Sequence, residues 1–555
     1  MRATLFGGTR RTKDFPATAG IQPTPLTKIT LQWMLPKLLV IYMLALGIGS
    51  LFFAKAIWKS VTDYRSAYPY HADLPGGRPL TDRLVLVVLD GIRVDALPEM
   101  DFLTALGRRG SSGVVRIGQP SLSNPSRAVI ATGAWAEVNG VTNNSDYSAP
   151  EVDSIFSLAK RVGLEQAAAG SSFWSKAFGA YLGDRVRTHR KGTKIGDGPS
   201  ELIEWQQKTC ASDIEFLSGQ TQGLVVLGLT AADSAGHDFG GKSLEYLETV
   251  KAVDDCLRQA VEAFDDSQTT FVITSDHGHI QRRGGGGHGG GEDEVVDVPL
   301  VLFGEGVREH SGWEGAQADI APTICALLGL PLPATNQGGI LWDSLDLAED
   351  DETELRGREL EQRELALAKL PNREQGVKAE RRERSLRAIG LFTLFSVVLI
   401  WTGVRRPRSA LWLASAVIVY YGLYYLLFWA FGLGYSLSAV GRQEYLLRFF
   451  ARDLGATAIA LAGASWYLAS RLTNWRAVLL LDLAVLVSAT VALQVTAIYF
   501  WHGLIMGGFM LELGPAFKAC IDLMQLFALG MVAPVIYWVA LGRERRRERQ
   551  REASA

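Results

Sequence analysis

Apolar runs long enough to cross a bilayer constrain this chain more than any other feature. Leu38–Ala54 is an uncharged run between Lys37 and Lys55. Five more follow at about Ala388–Val404, Ala410–Leu433, Leu454–Ser470, Ala477–Trp501 and Ala519–Leu541. They account for a mean hydropathy of +0.11, high for a soluble protein. Each run, with its flanks, supplies the ~20 residues a helix needs to span the hydrocarbon core. Inside that core a helix is the form that satisfies the backbone of a single segment.

Cationic clusters orient these spans. The chain before the first run carries Arg2, Arg10, Arg11, Lys13, Lys28 and Lys37, and later clusters are RRPR (405–408), RLTNWR (471–476) and RERRRER (543–549). Positive residues remain on the cytoplasmic side. Six spans put all four clusters there and leave the stretch between the first two spans outside. ERRERSLR (380–387) dissents: it is basic yet falls outside, as a solvated amphipathic helix or a contact to anionic head groups. A cleaved signal peptide is the alternative for the first run, but the run starts late and no A-x-A-like site follows closely. The expected divisions are a loose cytoplasmic basic leader (1–37), a transmembrane anchor (38–58) and a polar connector (59–80). A large extracytoplasmic domain (81–348) and a charged helical linker with a solvated face (349–387) come next. A five-helix membrane domain (388–541) and a basic cytoplasmic tail (542–555) complete the scheme. Alanine-, arginine- and leucine-rich composition fits a multi-pass protein of a bacterial inner membrane.

A net charge of −2 supplies no bulk basic character of the kind that points to nucleic acid. Cys210, Cys256, Cys325 and Cys520 form no C-x-x-C pair, so no cysteine-based metal site is implied. A Cys210–Cys256 disulfide is left open.

Between the first two spans the pattern changes. RLVLVVLDG (83–91), GLVVLGLT (223–230), TTFVITSDHG (269–278) and VPLVLFGEG (298–306) are short continuous apolar runs rich in β-branched residues. Such runs read as buried parallel strands. Helical stretches such as 243–264 lie between them, so the region is expected to be an α/β domain with a mostly parallel sheet flanked by helices. Ligands of such sheets gather beyond the carboxyl ends of the strands.

Polar residues stand at those ends. Asp90 follows the first run, Asp233 and His237 the second, Asp276 and His277 the third, and His288 lies further on inside GGGGHGGG. Three carboxylates and three imidazoles suffice for two divalent ions, and mixed nitrogen and oxygen donors suit zinc, with manganese the lesser option. The glycines around His288 are expected to let a mobile strap bring it to a metal. PSLSNPSRAVIATG (120–133) presents Ser123 just ahead of a small-residue helix, where free backbone N–H groups favour a phosphate or an alkoxide. An N-cap is the structural alternative for Ser123.

The order D…S…D-x-x-x-H…D-H…H resembles the alkaline phosphatase superfamily. Within it, the resemblance is to the type I phosphodiesterase branch that holds the nucleotide pyrophosphatases and the GPI ethanolamine phosphate transferases. It spans roughly residues 82–345. It implies an alkaline-phosphatase-like fold and Ser123 as nucleophile and metal ligand. Asp233, His237 and His288 would bind one metal and Asp90, Asp276 and His277 the other. Asn144 would steady a nonbridging phosphate oxygen. ADIAPTICALLGLPLP (318–333) is similar to the helix that closes these domains. His279 matches no ligand and is expected in a supporting or surface position.

Ser123-Asn124-Pro125-Ser126-Arg127 also fits the sulfatase pattern, in which the first residue becomes formylglycine. That alternative is weakened by LDG-I after the first strand and by the histidines, which one hard cation does not need. Arg127 would then bind substrate oxyanions or cap structure. A plain phosphodiesterase or nucleotide pyrophosphatase needs only an anchor. Five further spans therefore favour a phosphoethanolamine-type transferase or phosphodiesterase, working through phosphoserine on a lipid or lipid-linked phosphodiester. A non-enzymatic receptor would be expected to lack ligands, and none is missing. In the membrane region Asp482, Gln494, Asp522 and Gln525, with His502, Glu512 and Lys518 nearer the outer face, are functional candidates or interhelical bonds.

Overall fold

The computed structural model describes residues 25–71, 73–145, 148–189, 198–282, 285–370, 373–442, 445–472, 476–505 and 510–554. Most of the basic leader therefore lies outside the described residues. From Pro25 onward the leader is not loose but helical, continuous with the first apolar run to Thr62. Proline is tolerated in a first turn, where its missing N–H has no partner to lose.

The extramembrane domain is built on an eight-stranded sheet. Its strands are β1 (Arg83–Leu89), β2 (Ser111–Arg116), β3 (Gln166–Gly170), β4 (Val186–Thr188), β5 (Gly223–Leu229), β6 (Thr269–Ser275), β9 (Asp297–Gly304) and β10 (His310–Ala316). Two short strands, β7 (Ile280–Arg282) and β8 (Gly285–Gly287), pair separately as an antiparallel ribbon. The sheet order is β10-β2-β9-β6-β1-β5-β3-β4. Central β1 lies parallel to both β5 and β6, so the carboxyl ends of these three strands point the same way. Strand β9, expected among the parallel strands, instead runs antiparallel to β6 and to β2. A strand buried on both faces is apolar throughout, so its sequence carries no record of its direction.

Successive β1 side chains enter opposite faces, as a pleated strand requires. Leu84, Leu86 and Val88 pack with Ile130, Phe156, Trp174 and Ile324 on one side. Val85, Val87 and Leu89 pack with Leu103, Val250 and Leu257 on the other. The second face is covered by the helices Pro199–Leu217 and Leu244–Phe264, which a Cys210–Cys256 disulfide joins.

The Glu349–Lys369 helix is docked on the domain rather than free on a solvated linker. Gln362 is buried and donates to the carbonyls of Ala334 and Asn336, and Glu359 accepts from the Ile340 N–H and the Trp342 indole. The next helix, Arg373–Arg405, runs unbroken through the expected boundary at residue 387 into the membrane region.

Among the described residues, six long helices form that region: Pro25–Thr62, Arg373–Arg405, Ala410–Ala430, Leu446–Arg471, Ala477–His502 and Leu513–Ser554. Five are long and apolar enough to cross a membrane; Leu446–Arg471, with Arg448, Arg452 and Asp453 in its first turns, falls short on composition while packing among them. The expected tail is a continuation of the last helix. The first and last helices cross at a glycine pair. A Cβ on Gly47 would stand 3.0 Å from the Gly530 Cα, and one on Gly530 would stand 2.5 Å from the Met43 oxygen. Small residues at a crossing let membrane helices approach closely.

The intramembrane polar side chains hold the helices together. Asp482 accepts from Arg405 and Arg406, Gln525 donates to Tyr420, Gln494 to Tyr421, and Tyr424 to Asp453. Lys518 pairs with Asp522 within its own helix, and His502 with Glu512. Arg405, Arg406 and Glu544, which accepts from the Ala477 N–H, share the end of the bundle away from the eight-stranded sheet. The dissenting 380–387 cluster lies at the other end, with Arg381 over the Trp501 ring.

Candidate active site

The parallel strands deliver the acidic residues to one place. Asp90 ends β1, Asp276 and His277 end β6, and Asp233 and His237 lie one turn apart on the Ala231–Phe239 helix that follows β5. The glycine strap after β7 brings in His288. Asp233 Oδ1 lies 3.3 Å from His237 Nε2, 3.2 Å from His279 Nε2 and 3.5 Å from His288 Nε2. Asp90 Oδ1 lies 3.5 Å and Asp276 Oδ1 3.8 Å from His277 Nε2. All of these residues but His237 are buried outright.

The protonation pattern follows from the hydrogen bonds. His277 Nδ1 lies 3.1 Å from the Gly278 oxygen and His288 Nδ1 lies 3.0 Å from the Ser121 oxygen. A carbonyl only accepts, so both Nδ1 atoms carry the proton and both Nε2 lone pairs face the cluster. Burial pushes the His277 imidazole below its ordinary value and that of His288 well below it. The two rings stack 3.6 Å apart, and His288 Nε2 stands 3.2 Å from His237 Nε2. Neutral imidazoles with backbone-fixed Nδ1–H and converging Nε2 atoms are what metal-binding histidines present. Burial, opposed by Arg127, pushes the Asp90 carboxyl up to about 7, and burial raises Asp276 as well. Two groups close enough to hold an ion emerge, Asp233 with His277, His279 and His288, and Asp90 with Asp276 and His277. The donor set fits divalent metal.

Ser123 is the first residue of the Ser123–Thr132 helix, whose N-cap is Leu122, so the N-cap alternative does not hold. Its Oγ lies 3.0 Å from His277 Nε2 and donates to it. Asn144 lies beside it: its side-chain oxygen accepts from the Asn124 N–H. Arg127, one turn into the helix, is buried, with Nη2 2.6 Å from Asp90 Oδ2 and 2.9 Å from Asp276 Oδ2, and Nη1 2.7 Å from Ser171 Oγ. Burial works against its charge, but the two carboxylates outweigh that and hold the guanidinium above its ordinary value.

Of the two positions expected for it, His279 takes the supporting one. It is fully buried rather than at the surface, and its Nε2 reaches Asp233. The signal was present in HGH: in an extended segment residues two apart face the same side. The sequence did not indicate what faces the cluster. Ser123, Asn144, Asp90, Asp233 and His288 line a cavity of about 1300 Å³ that is also lined by Ile57, Val61, Leu446, Phe517 and Cys520 from three bundle helices.

The sequence profile described as "Type I phosphodiesterase / nucleotide pyrophosphatase" matches residues 84–283, and the profile described as "Sulfatase" matches residues 241–330. GPI ethanolamine phosphate transferase 1 of Homo sapiens is 27% identical over 369 residues, which cover 56% of this chain and 38% of that protein. The Emericella nidulans protein of the same name is 26% identical over 331 residues, covering 49% and 35%. The chain thus spans little more than a third of the length of these relatives. Murine ectonucleotide pyrophosphatase/phosphodiesterase 5 superposes at a TM-score of 0.37 with 16% identity, over 47% of this chain and 100% of that one. Over residues 84–283 the chain is thus similar to the type I phosphodiesterases and nucleotide pyrophosphatases, and over about half its length it is similar to the GPI ethanolamine phosphate transferases.

Proposed function

We propose that this chain is a membrane-embedded phosphoryl-transfer enzyme that moves a phosphoethanolamine-type head group from a lipid or lipid-linked phosphodiester. The observation that carries this reading is the cavity: its polar wall holds Ser123 and the Asp/His cluster, and its apolar wall is made by bundle helices. A substrate with a phosphodiester at one end and acyl chains at the other matches both walls, and a water-soluble diester matches one.

Ser123 is the nucleophile. Its Oγ bonds to phosphorus as the P–O bond to the departing alcohol breaks, and the alcohol leaves with a proton. Water or an acceptor hydroxyl then forms a new P–O bond as the Oγ–P bond breaks and the serine regains its proton. The helix N-terminus and the amide N–H groups of Asn144, whose side-chain oxygen accepts from the Asn124 N–H, donate to the nonbridging oxygens. Asp233, His237 and His288 would hold one divalent ion and Asp90, Asp276 and His277 the other, with His279 beside the first. Zinc suits these donors best and manganese less well. Such ions supply the positive charge that acidifies the serine hydroxyl and stabilises the leaving oxygen.

The 81–348 region then faces an oxidising compartment, in keeping with the Cys210–Cys256 bond. The basic clusters mark the cytoplasmic end, as in a bacterial inner-membrane protein with a periplasmic catalytic domain. The sulfatase profile match and the S-N-P-S-R spacing favour one second reading, a formylglycine sulfatase. The test is purified full chain incubated with head-group-labelled phosphatidylethanolamine and with a chromogenic phosphodiester, with and without EDTA. Expected are metal-dependent release from the lipid, loss of turnover by ~10³-fold or more in Ser123→Ala, and an unmodified serine by mass spectrometry. Full metal-dependent activity in Ser123→Ala would refute the reading, and formylglycine at position 123 would replace it with the second.

A further inference from the structure

The loop between the Ala410–Ala430 and Leu446–Arg471 helices does more than connect two membrane segments. Its short helical turn, Leu437–Val440, lies directly against the strap that carries His288. The Gly290 N–H donates to Ser438 Oγ at 3.0 Å, and that hydroxyl donates to Glu292 Oε2 at 2.8 Å. Arg282, at the start of the strap, donates to the Ala439 carbonyl. Arg442, further along the same loop, pairs at 2.9 Å with Asp238, the neighbour of His237. The packing leaves no spare room: a Cβ on Gly287 would stand 2.2 Å from the Ser438 oxygen. Gly289 has φ +111°, a conformation that favours glycine. On its other face the strap is held by the segment leading to Ser123, where Gln119 and Ser121 both donate to the Gly290 carbonyl at 2.6 Å.

A glycine-rich strap has no side chains of its own to fix its path, and its backbone freedom is costly to freeze. Ser438 is fully buried, and its hydroxyl both accepts from the strap backbone and donates to the Glu292 carboxylate beyond it. We propose that Ser438 and the 436–442 loop are positioning residues for the metal site: they hold the strap so that His288 stays aimed at Asp233. Metal retention in the catalytic domain thereby depends on how the membrane bundle is docked. The inference rests on the reading that His288 and Asp233 hold a metal.

The full chain in detergent micelles is titrated with zinc against a competing chromogenic chelator. The variants are Ser438→Ala, Glu292→Gln and His288→Ala. Expected for Ser438→Ala is zinc affinity weakened about tenfold, faster tryptic cleavage after Arg282, and unfolding of the zinc-free protein at the native temperature. Glu292→Gln, which keeps side-chain volume, shifts affinity the same way by a smaller factor and decides the matter if Ser438→Ala does not fold. Native zinc affinity in both, alongside weakened binding in His288→Ala, overturns the positioning role and leaves the metal reading standing. Native affinity in His288→Ala overturns the metal reading and this inference with it.

Discussion

Replacing Arg127 with methionine removes a guanidinium that stands 2.6 Å from Asp90 and 2.9 Å from Asp276, with all three side chains buried. Taking one partner from a buried ion pair costs about 3–5 kcal/mol, because the remaining charge is left in a medium that cannot solvate it. Asp90, already pushed up to about 7, relieves part of this by taking a proton, which favours the lower end, about 3 kcal/mol. At ~2–4 °C per kcal/mol for a domain of this size, metal-free Arg127→Met unfolds about 10 °C below the native protein. The sign reverses for metal. In the native chain an ion bound by Asp90 and Asp276 competes with the guanidinium for the same oxygens, so deleting Arg127 removes that competition. An energy of about 3 kcal/mol corresponds to roughly 10²-fold, which bounds the expected gain in zinc affinity. Zinc then restores most of the lost thermal stability, since it binds only the folded form. Differential scanning fluorimetry with and without EDTA, beside a chelator competition titration, reads both quantities on one preparation. The reasoning fails if metal-free Arg127→Met unfolds within a degree or two of native, or if its zinc affinity falls.

The other predictions concern different parts of the molecule. Cys210→Ser with Cys256→Ser removes a bond that closes 46 residues; the loop-entropy relation puts the loss at about 4 kcal/mol, seen as a lowered unfolding temperature that reducing agent reproduces in the native protein. Zinc affinity is expected to be level above the metal-free Asp90 value of about 7. Below it, affinity falls by up to tenfold per pH unit, since the raised carboxyl holds a proton that metal must displace; a titration series from pH ~5.5 to ~8 would contradict this if affinity were flat throughout. Gly530→Val puts a side chain 2.5 Å from the Met43 carbonyl, so the first and last helices separate. Turnover of labelled lipid should drop several-fold or more while hydrolysis of a soluble chromogenic diester persists, and equal losses for both would count against the cavity's apolar wall as the lipid seat.

What could be read from the sequence was what is encoded locally. The runs ending at Asp90, Thr230 and Asp276 are strands because β-branched residues with no polar interruption fit a strand buried on both faces. The carboxylates and imidazoles beyond them converge because three neighbouring strands share one direction. Direction itself was not legible for β9, whose buried run reads the same either way. Strand β3, QAAAG, one in from the β4 edge, and the edge strand β10, HSGWEGA, lack the apolar signature of central strands. Between the supporting and the surface position of His279, the period-2 spacing of His-Gly-His favours the first, since residues two apart in an extended segment face one side. The partners of Arg127, and the bond between Gly290 and Ser438, join residues 37 to 149 positions apart. No local pattern encodes such pairings, because packing of the whole domain on the bundle decides them.

The crossing of the first and last helices also has a consequence in time. The apolar wall of the cavity draws on Ile57 and Val61 from the first membrane helix and on Phe517 and Cys520 from the last. During synthesis the α/β domain, with its Asp/His cluster, emerges long before residue 513 does. Its sheet can therefore close while the compartment beside Ser123 still lacks a side and stands open to the bilayer. The nascent protein passes through an interval in which the reactive groups are assembled but the hydrophobic seat is not. The compartment gains that side only when the Leu513–Ser554 helix packs against Gly47.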